Sequence, residues 1–371
     1  MSYLTRKALF EQFERIRERP LISYVTSIRP NLNGIMAGDS IKHIIEQVRG
    51  IPNDQKEIDF LIISNGGDPI TSLRIISILR ERFDKISVVV PYVAYSAATI
   101  LALGADEIIM HPYSNLGPVD PQLAVSRQSD SGQASKIEFS SEDIRNYIEF
   151  VKSDVGITDQ THLITAFSSL AKEVGPIPIG SAKRSQQLSL SLSIKMLETH
   201  MEDKNKAATI AKALNTSYYH HGYAVGRTEA KKIGLNVIYP EENIEELMWK
   251  IWEDYSDEMN CGSEFNLVAT IMNNPTVAEK INKTSIVNIP ANIPPQVAQN
   301  IIATIAQQNT TIIQQEPIEF SELMVTIESL RTAMAAHTTF NVICWRDTNM
   351  AIVINATAFP KGWQPIKEKL Q

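Results

Sequence analysis

The chain of 371 residues carries 35 Lys and Arg against 42 Asp and Glu, a net charge of −7. That length exceeds what one hydrophobic core commonly fills, so one large domain and a smaller one are expected, and the acidic balance excludes a nucleic-acid binder working through a general basic face. A hydrophobic content of 43% with 21% charged residues belongs to a soluble globular protein.

The first residues, 1–7, are charged with no apolar run behind them, so no signal peptide is read. Leu4, Leu9, Phe13 and Ile16 then recur among charges, an amphipathic helix over 3–19 stopped by Pro20. A strand over 21–28 and a Pro/Asn/Gly loop over 30–38 follow, and Asp39 or Ser40 caps a helix to about Arg49. The strand 58–64 runs into Asn65-Gly66-Gly67-Asp68-Pro69 and then a helix over about 70–83. Between Lys85 and Asp106 no residue is charged, roughly the length of a membrane span. Pro91 and Gly104 interrupt that stretch, and β-branched residues give way to Ala and Leu midway. A buried strand over 86–90 and a buried helix over 97–103 are therefore expected, with no membrane anchor. Another strand covers 107–110, and this alternation predicts βαβ-type units around a largely parallel sheet.

Residues 112–139 read as loop, with 126–136 polar, and 141–213 as helices broken at 154–159 and 175–180. A short helix over 229–235, a strand over 236–239 and a helix over 240–257 come next. Beyond 260 Asn, Gln, Thr and Ile dominate, with helix-like segments at 295–307 and 320–336, then strands 340–345 and 351–355 joined by a turn at 346–349. We read 1–258 as the main domain and 259–371 as a small α+β domain of unassigned role. Cys261 and Cys344 lie far apart without ligand spacing, as free thiols in a reducing, cytoplasmic compartment would. No His/Cys/Asp/Glu cluster has metal-binding spacing, and no Lys-Ser/Thr follows Gly66-Gly67 as in a phosphate loop. Neither metal nor cofactor is expected.

The chemistry concentrates at Ser96, where the run 88–90 breaks into small residues and turns helical. A hydroxyl on a strand-to-helix elbow, with backbone N–H groups offered by the helix start and a glycine turn, is what acyl transfer requires. From the residues alone, Ser96 serves equally well as a helix N-cap.

Three stretches together resemble the serine dehydrogenase proteinase family, within the ClpP/crotonase superfamily that also includes signal peptide peptidase A. They are Asn65-Gly66-Gly67-Asp68-Pro69, Ala94-Tyr95-Ser96-Ala97-Ala98-Thr99 and Leu116-Gly117-Pro118-Val119-Asp120-Pro121-Gln122. A fourth, His221-Gly222-Tyr223 leading to Ile233-Gly234-Leu235, is similar to that family's closing motif. The resemblance covers roughly 20–240 and implies an α/β fold, a ClpP/crotonase-like spiral of ββα units. It implies a serine endopeptidase cutting polypeptides, self-assembled as a homo-oligomer, with a triad in the order Ser…Asp…His. Relatives are often membrane-anchored, and here no anchor is seen.

On that basis Ser96 is the nucleophile, Asp120 orients the histidine and His221 is the general base. Gly66 or Gly67 and Ala97 supply the oxyanion hole. His220, beside His221, is an alternative base. Lys152 is another, in a Ser–Lys dyad like that of signal peptide peptidase A, and Lys136 and Lys183 are weaker choices because a lysine base must be desolvated. Asp120 alone is also ordinary turn chemistry before a proline, and His111 reads as a packed or rim histidine. Two other classes compete: a non-peptidase crotonase-fold enzyme acting on acyl thioesters, and a non-catalytic oligomeric scaffold. Residues 259–371 are the segment left for an ATPase or other partner.

Overall fold

The computed structural model describes residues 3–128, 134–216, 218, 220, 222–275, 277, 293–312, 317–346 and 351–366. The helices up to the middle of the chain are α1 (Tyr3–Arg17), α2 (Ile41–Arg49), α3 (Pro69–Arg82), α4 (Ala97–Leu103), α5 (Ser141–Ser153), α6 (Gln160–Val174), α7 (Pro176–Leu197) and α8 (Lys204–Thr216). They are followed by α9 (Arg227–Lys232), α10 (Glu242–Glu258) and α11 (Leu267–Met272), and a further helix spans Pro295–Ile312. The first strands are β1 (Leu21–Thr26), β2 (Ile28–Arg29), β3 (Leu32–Asn33), β4 (Glu57–Ile63), β5 (Lys85–Val90), β6 (Val93–Ala94), β7 (Glu107–Met110) and β8 (Asn115–Leu116). Then come β9 (Gln122–Gln128), β10 (Ala134–Ser140), β11 (Val225–Gly226), β12 (Val237–Ile238), β13 (Ile318–Glu328), β14 (Ala333–Arg346) and β15 (Ile352–Pro365).

An eight-stranded sheet in the order β12-β7-β5-β4-β1-β13-β14-β15 forms the centre of this mixed α/β fold. Its first five strands are parallel, as the β-strand and helix alternation predicts. Each is buried on both faces, and successive residues feed two cores. Phe60 and Ile62 of β4 and Val88 and Val90 of β5 face the core under α2, α3, α4 and α7. Leu61, Ile63 and Val89 face the core under α1 and α10. After β5 and β7 the chain adds the short strands β6 and β8, which pair in a separate sheet completed by β11. The bridge Ser64↔Ala94 joins the end of β4 to β6 and places the β4–α3 and β6–α4 turns side by side above the carboxyl ends of the parallel strands.

Several expectations change. Residues 320–336 are not helical: 318–328 is β13, and β14 begins at Ala333. Its Glu, Leu, Met and Ala content favours helix locally, but the open edge of β1 recruits the segment as an antiparallel strand, Ser23↔Glu328 to Thr26↔Val325. The strands of 259–371 therefore continue the central sheet rather than form a sheet of their own. The stretch read as loop over 126–136 contributes to an antiparallel pair, β9 with β10; residues 129–133 lie outside the described residues. The helical break expected over 175–180 narrows to Gly175, with φ 93°, because Pro176 opens α7 at a position where its missing N–H costs nothing.

A buried cluster ties the two ends of the chain together. Arg6 of α1 is fully buried and holds Glu328 of β13 bidentately, at 2.7 and 2.9 Å. It also pairs with Asp254 and, at 2.6 Å, with Glu258 of α10, while Tyr255 stacks under its guanidinium and donates to Glu328 Oε2 at 2.9 Å. Burial and the neighbouring negative charge push the Tyr255 hydroxyl well up, so it stays a neutral donor. Removing one partner from such a cluster leaves buried carboxylates uncompensated, which costs about 3–5 kcal/mol. Arg6→Ala is expected to lower the free energy of unfolding by that order in a urea titration; a loss under about 1 kcal/mol would contradict this account.

Candidate active site

The glycine turn is built from β4 outward. Ser64 continues beyond the strand and bridges Ala94, donating its N–H to Val93 O at 3.1 Å and accepting Tyr95 N–H at 2.9 Å. Its buried hydroxyl accepts from Thr26 Oγ1 at 2.8 Å and from Gly66 N–H at 3.0 Å, which curls the chain back on itself. Gly66 and Gly67 have φ of 108° and 150°, conformations that side-chain-bearing residues rarely adopt. Met36 N–H donates to Gly66 O at 2.8 Å and Met36 O accepts Asp68 N–H at 2.9 Å, so the two ladder bonds flank Gly67. Gly67 N–H has no acceptor among the described residues. Asp68 then caps α3 through Ile70 N–H at 3.0 Å, and Pro69 occupies its first turn.

Ser96 stands at the head of α4 with φ 51° and ψ −116°, a strained conformation for a non-glycine residue. It occupies the N-cap position, but its side chain makes no capping bond and has no hydrogen-bond partner among the described residues. Ala97 N–H, the first of α4, likewise has no acceptor there. The elbow is held from below. Thr99 Oγ1 donates to Ala94 O at 2.6 Å and accepts Gly117 N–H at 3.1 Å, and Ser72 Oγ of α3 donates to Ala97 O at 2.6 Å. From the side, Gly66 approaches so closely that a Cβ there would lie 2.8 Å from Ser96 Cβ and 3.0 Å from Ala97 N.

Ser96 opens into a cleft of about 310 Å³ lined by Gly67, Asp68, Pro69, Ile100, Val119, Pro121, Gln122, Leu123, Ser185, Leu188 and Ser189. Helix α7, given no part in the site from the sequence, forms one wall and is tied in by Ser189 Oγ donating to Val119 O at 2.5 Å. A second cavity of about 240 Å³ holds Asp120 and His220, together with Glu142, Asp143 and Tyr218, and Gln122 lines both. Gln122 Nε2 donates to Asp120 Oδ2 at 2.7 Å. Antiparallel pairing of Leu116 with Val225 makes the connections carrying Asp120 and His220 leave the same end of that pair. Tyr218, stacked on Tyr223 and donating to Glu229 at 3.2 Å, anchors the second connection; burial and that carboxylate push its hydroxyl well up.

The structure thus brings Ser96, Gly66, Gly67 and Ala97 together and sets Asp120 and His220 in the adjoining cavity. His221 lies outside the described residues. Lys152 does not line either space: it is exposed on α5 with Glu149 Oε1 3.9 Å away. Lys183 is exposed on α7. The strand of Lys136 is described, at β10, but not its side chain. His111 is buried against Trp249, its rings 5.2 Å apart, and burial holds its imidazole below the ordinary value. Sequence reasoning assigned no role to Ser64, Thr99 or Gln122: Ser64 and Thr99 bond Thr26 and Gly117, far off in the chain, and Gln122 counts because it lines both spaces.

Ser96, Gly66, Gly67, Ala97 and Asp120 sit in the segment that matches a known family. The model of the ClpP-like SDH-type serine proteinases matches residues 29–138. Over that span the chain is similar to this family. Two uncharacterized proteins of Methanocaldococcus jannaschii are similar to it. One is 28% identical over 214 residues, 58% of this chain and 63% of its own length. The other is 26% identical over 223 residues, 59% and 64%. The chain therefore spans just under two thirds of each relative. Among solved structures, a mutant of the 1510-N membrane-bound stomatin-specific protease is 18% identical, covering 61% of this chain and 82% of that one at a TM-score of 0.34. ClpP1 from Listeria monocytogenes is 12% identical, covering 63% and 99% at 0.32. Among the described residues no helix is long and apolar enough to cross a membrane, and no group of His, Cys, Asp or Glu is arranged to hold a metal ion.

The close approach at Gly66 makes the glycine turn sensitive to one methyl group. Gly66→Ala is expected to cost about 2 kcal/mol or more in denaturant unfolding, through positive φ and the clash with Ser96 and Tyr95 O. A variant as stable as the wild type would show that the two turns are less tightly packed than described.

Proposed function

We propose that this protein is a serine peptidase in which Ser96 attacks a polypeptide carbonyl and forms an acyl-enzyme. The observation that carries the reading is the strained Ser96 backbone at the cleft that Gly67 also lines, with the Ser96 hydroxyl and the N–H groups of Gly67 and Ala97 left without partners among the described residues. Strain at a non-glycine residue persists only where the surroundings impose it, and it recurs at nucleophile elbows. The family match supports the same chemistry.

In this mechanism Ser96 Oγ adds to the carbonyl carbon while its proton passes to His221, oriented by Asp120. The tetrahedral oxyanion is bound by Ala97 N–H and Gly67 N–H. Gly67 is preferred to Gly66 because Gly66 N–H is already donated to Ser64 Oγ. The protonated imidazole then gives its proton to the departing amine, and water, activated by the same base, releases the acyl group. His220 and Lys152 are the alternative bases. His220 Nδ1 already accepts Gly222 N–H at 3.0 Å, and Lys152 is exposed on α5 and lines neither space. An extended polypeptide as substrate, and self-assembly that guards the cleft, belong to the same proposal.

A fluorophosphonate probe tests it, since only an activated serine displaces its fluoride. Wild type is expected to label and Ser96→Ala not to. His221→Ala should slow acylation by about a thousandfold or more, while His220→Ala and Lys152→Ala leave the rate near that of wild type. Labelling that survives Ser96→Ala removes the nucleophile. Loss in Lys152→Ala but not in His221→Ala replaces the triad by a dyad. No labelling, with or without binding of a CoA thioester, favours the non-peptidase classes.

A further inference from the structure

The segment 34–39, which frames Gly67 through Met36, is gripped at both ends by strands that lie outside the family match at 29–138. At one end β13 slips register between Leu323 and Val325, and the extra residue, Met324, turns its carbonyl to Ser27 N–H at 2.7 Å. Gly34 N–H donates to Ser27 O at 2.7 Å, and a Cβ on Gly34 would fall 2.1 Å from that same Met324 oxygen. The bulge therefore seats Gly34, and only a glycine fits. At the other end Trp363 of β15 donates its indole Nε1–H to Asp39 Oδ2 at 2.8 Å and lays its ring 4.9 Å from that of His43. Between these grips Met36 is fully buried, and a Cβ on Gly67 would meet its carbonyl at 2.3 Å.

We infer that the C-terminal strands are a brace for the oxyanion-binding turn, with Trp363 as a positioning residue that acts on Gly67 N–H through Asp39 and Met36. This rests on the oxyanion role proposed for Gly67. Loops without helix or strand of their own take their order from what they touch. A donor displaced by a fraction of an ångström from a developing oxyanion loses much of its effect. Trp363 does not itself line the cleft, so its effect should fall on the chemical step and not on binding.

The test uses the full chain and the fluorophosphonate probe, separating the acylation rate constant from the probe's dissociation constant. Trp363→Ala is expected to lower the rate constant about tenfold with the dissociation constant unchanged. Asp39→Ala should do the same, and the double variant should lose no more than either alone. Trp363→Phe, which keeps the ring against His43 and removes only the N–H, should fall between. Amide exchange at Met36 and Asp68 should quicken in Trp363→Ala. Phe359→Ala, an exposed residue of the same strand, should change neither rate nor exchange. Unchanged acylation in Trp363→Ala and Trp363→Phe, with labelling still on Ser96, overturns the brace. So does a Trp363→Phe variant that unfolds, since the indole would then serve stability alone. If labelling never depended on Ser96, the nucleophile reading fails instead, and unaltered exchange at Met36 would separately dispose of the brace.

Discussion

At Gly66 the turn after β4 comes so near the head of α4 that a methyl group would sit 2.8 Å from both Ser96 Cβ and Tyr95 O. Two unfavourable backbone conformations therefore support each other: the glycine turn at positive φ and the elbow at Ser96. A non-glycine residue held this way costs about 1–3 kcal/mol, which the surrounding bonds must offset. They are short, buried and numerous. Thr99 and Ser72 hold the elbow through backbone carbonyls, and Ser64 holds the glycine turn while also receiving Thr26. None of these hydroxyls faces the cleft lining, yet each limits where Ser96 and Gly67 can stand.

The sequence made the parallel strands legible because strands buried on both faces are predominantly apolar. The runs 60–63 and 86–90 could hardly be anything else once Gly66-Gly67 and Pro91 ended them. Ser96 was visible for a related reason, since a small polar residue between a β-branched run and an Ala-rich one marks an elbow. Gln122 and Thr99 were not visible. Gln122 earns its place by lining two spaces at once, and Thr99 by reaching Gly117, contacts that no local pattern encodes. Pairing of β8 with β11 is similarly non-local, and without it Asp120 and His220 have no reason to share a cavity.

Residues 318–336 show the opposite failure, a local signal that was clear and overruled. Alternation is present in Ile318, Phe320, Val325 and Ile327, but Glu, Leu, Met and Ala between them carry helix propensity. What decides is the unpaired edge of β1, whose backbone groups need partners in a buried setting. Arg6 reinforces the outcome, because Glu328 can enter the core only where a guanidinium already waits. The same antiparallel addition carries β14 and β15 outward and brings Trp363 back over Asp39. A segment that reads as an appendage in sequence thus becomes a continuation of the sheet on which the cleft is built.

The two ends of the parallel sheet divide the electrostatics. Near the amino-terminal ends, Arg17 holds buried Asp59 bidentately and also reaches Glu107, which Lys85 and Ser87 bond as well. Burial alone would raise the Glu107 carboxyl, but Ser87, Lys85 and Arg17 outweigh it and keep the group below its ordinary range. At the carboxyl ends Asp68 is the one charged lining residue of the cleft among the described residues, and its carboxylate is engaged by Ile70 N–H and Thr71 Oγ1. Most other walls are apolar, with Ile100, Val119, Leu123 and Leu188 prominent. In such surroundings a backbone N–H acts on developing negative charge with little competition from water or mobile ions. For the reaction proposed, stabilisation therefore falls to groups fixed by main-chain geometry, which is why small residues at 66, 67 and 97 matter more than any charged side chain nearby.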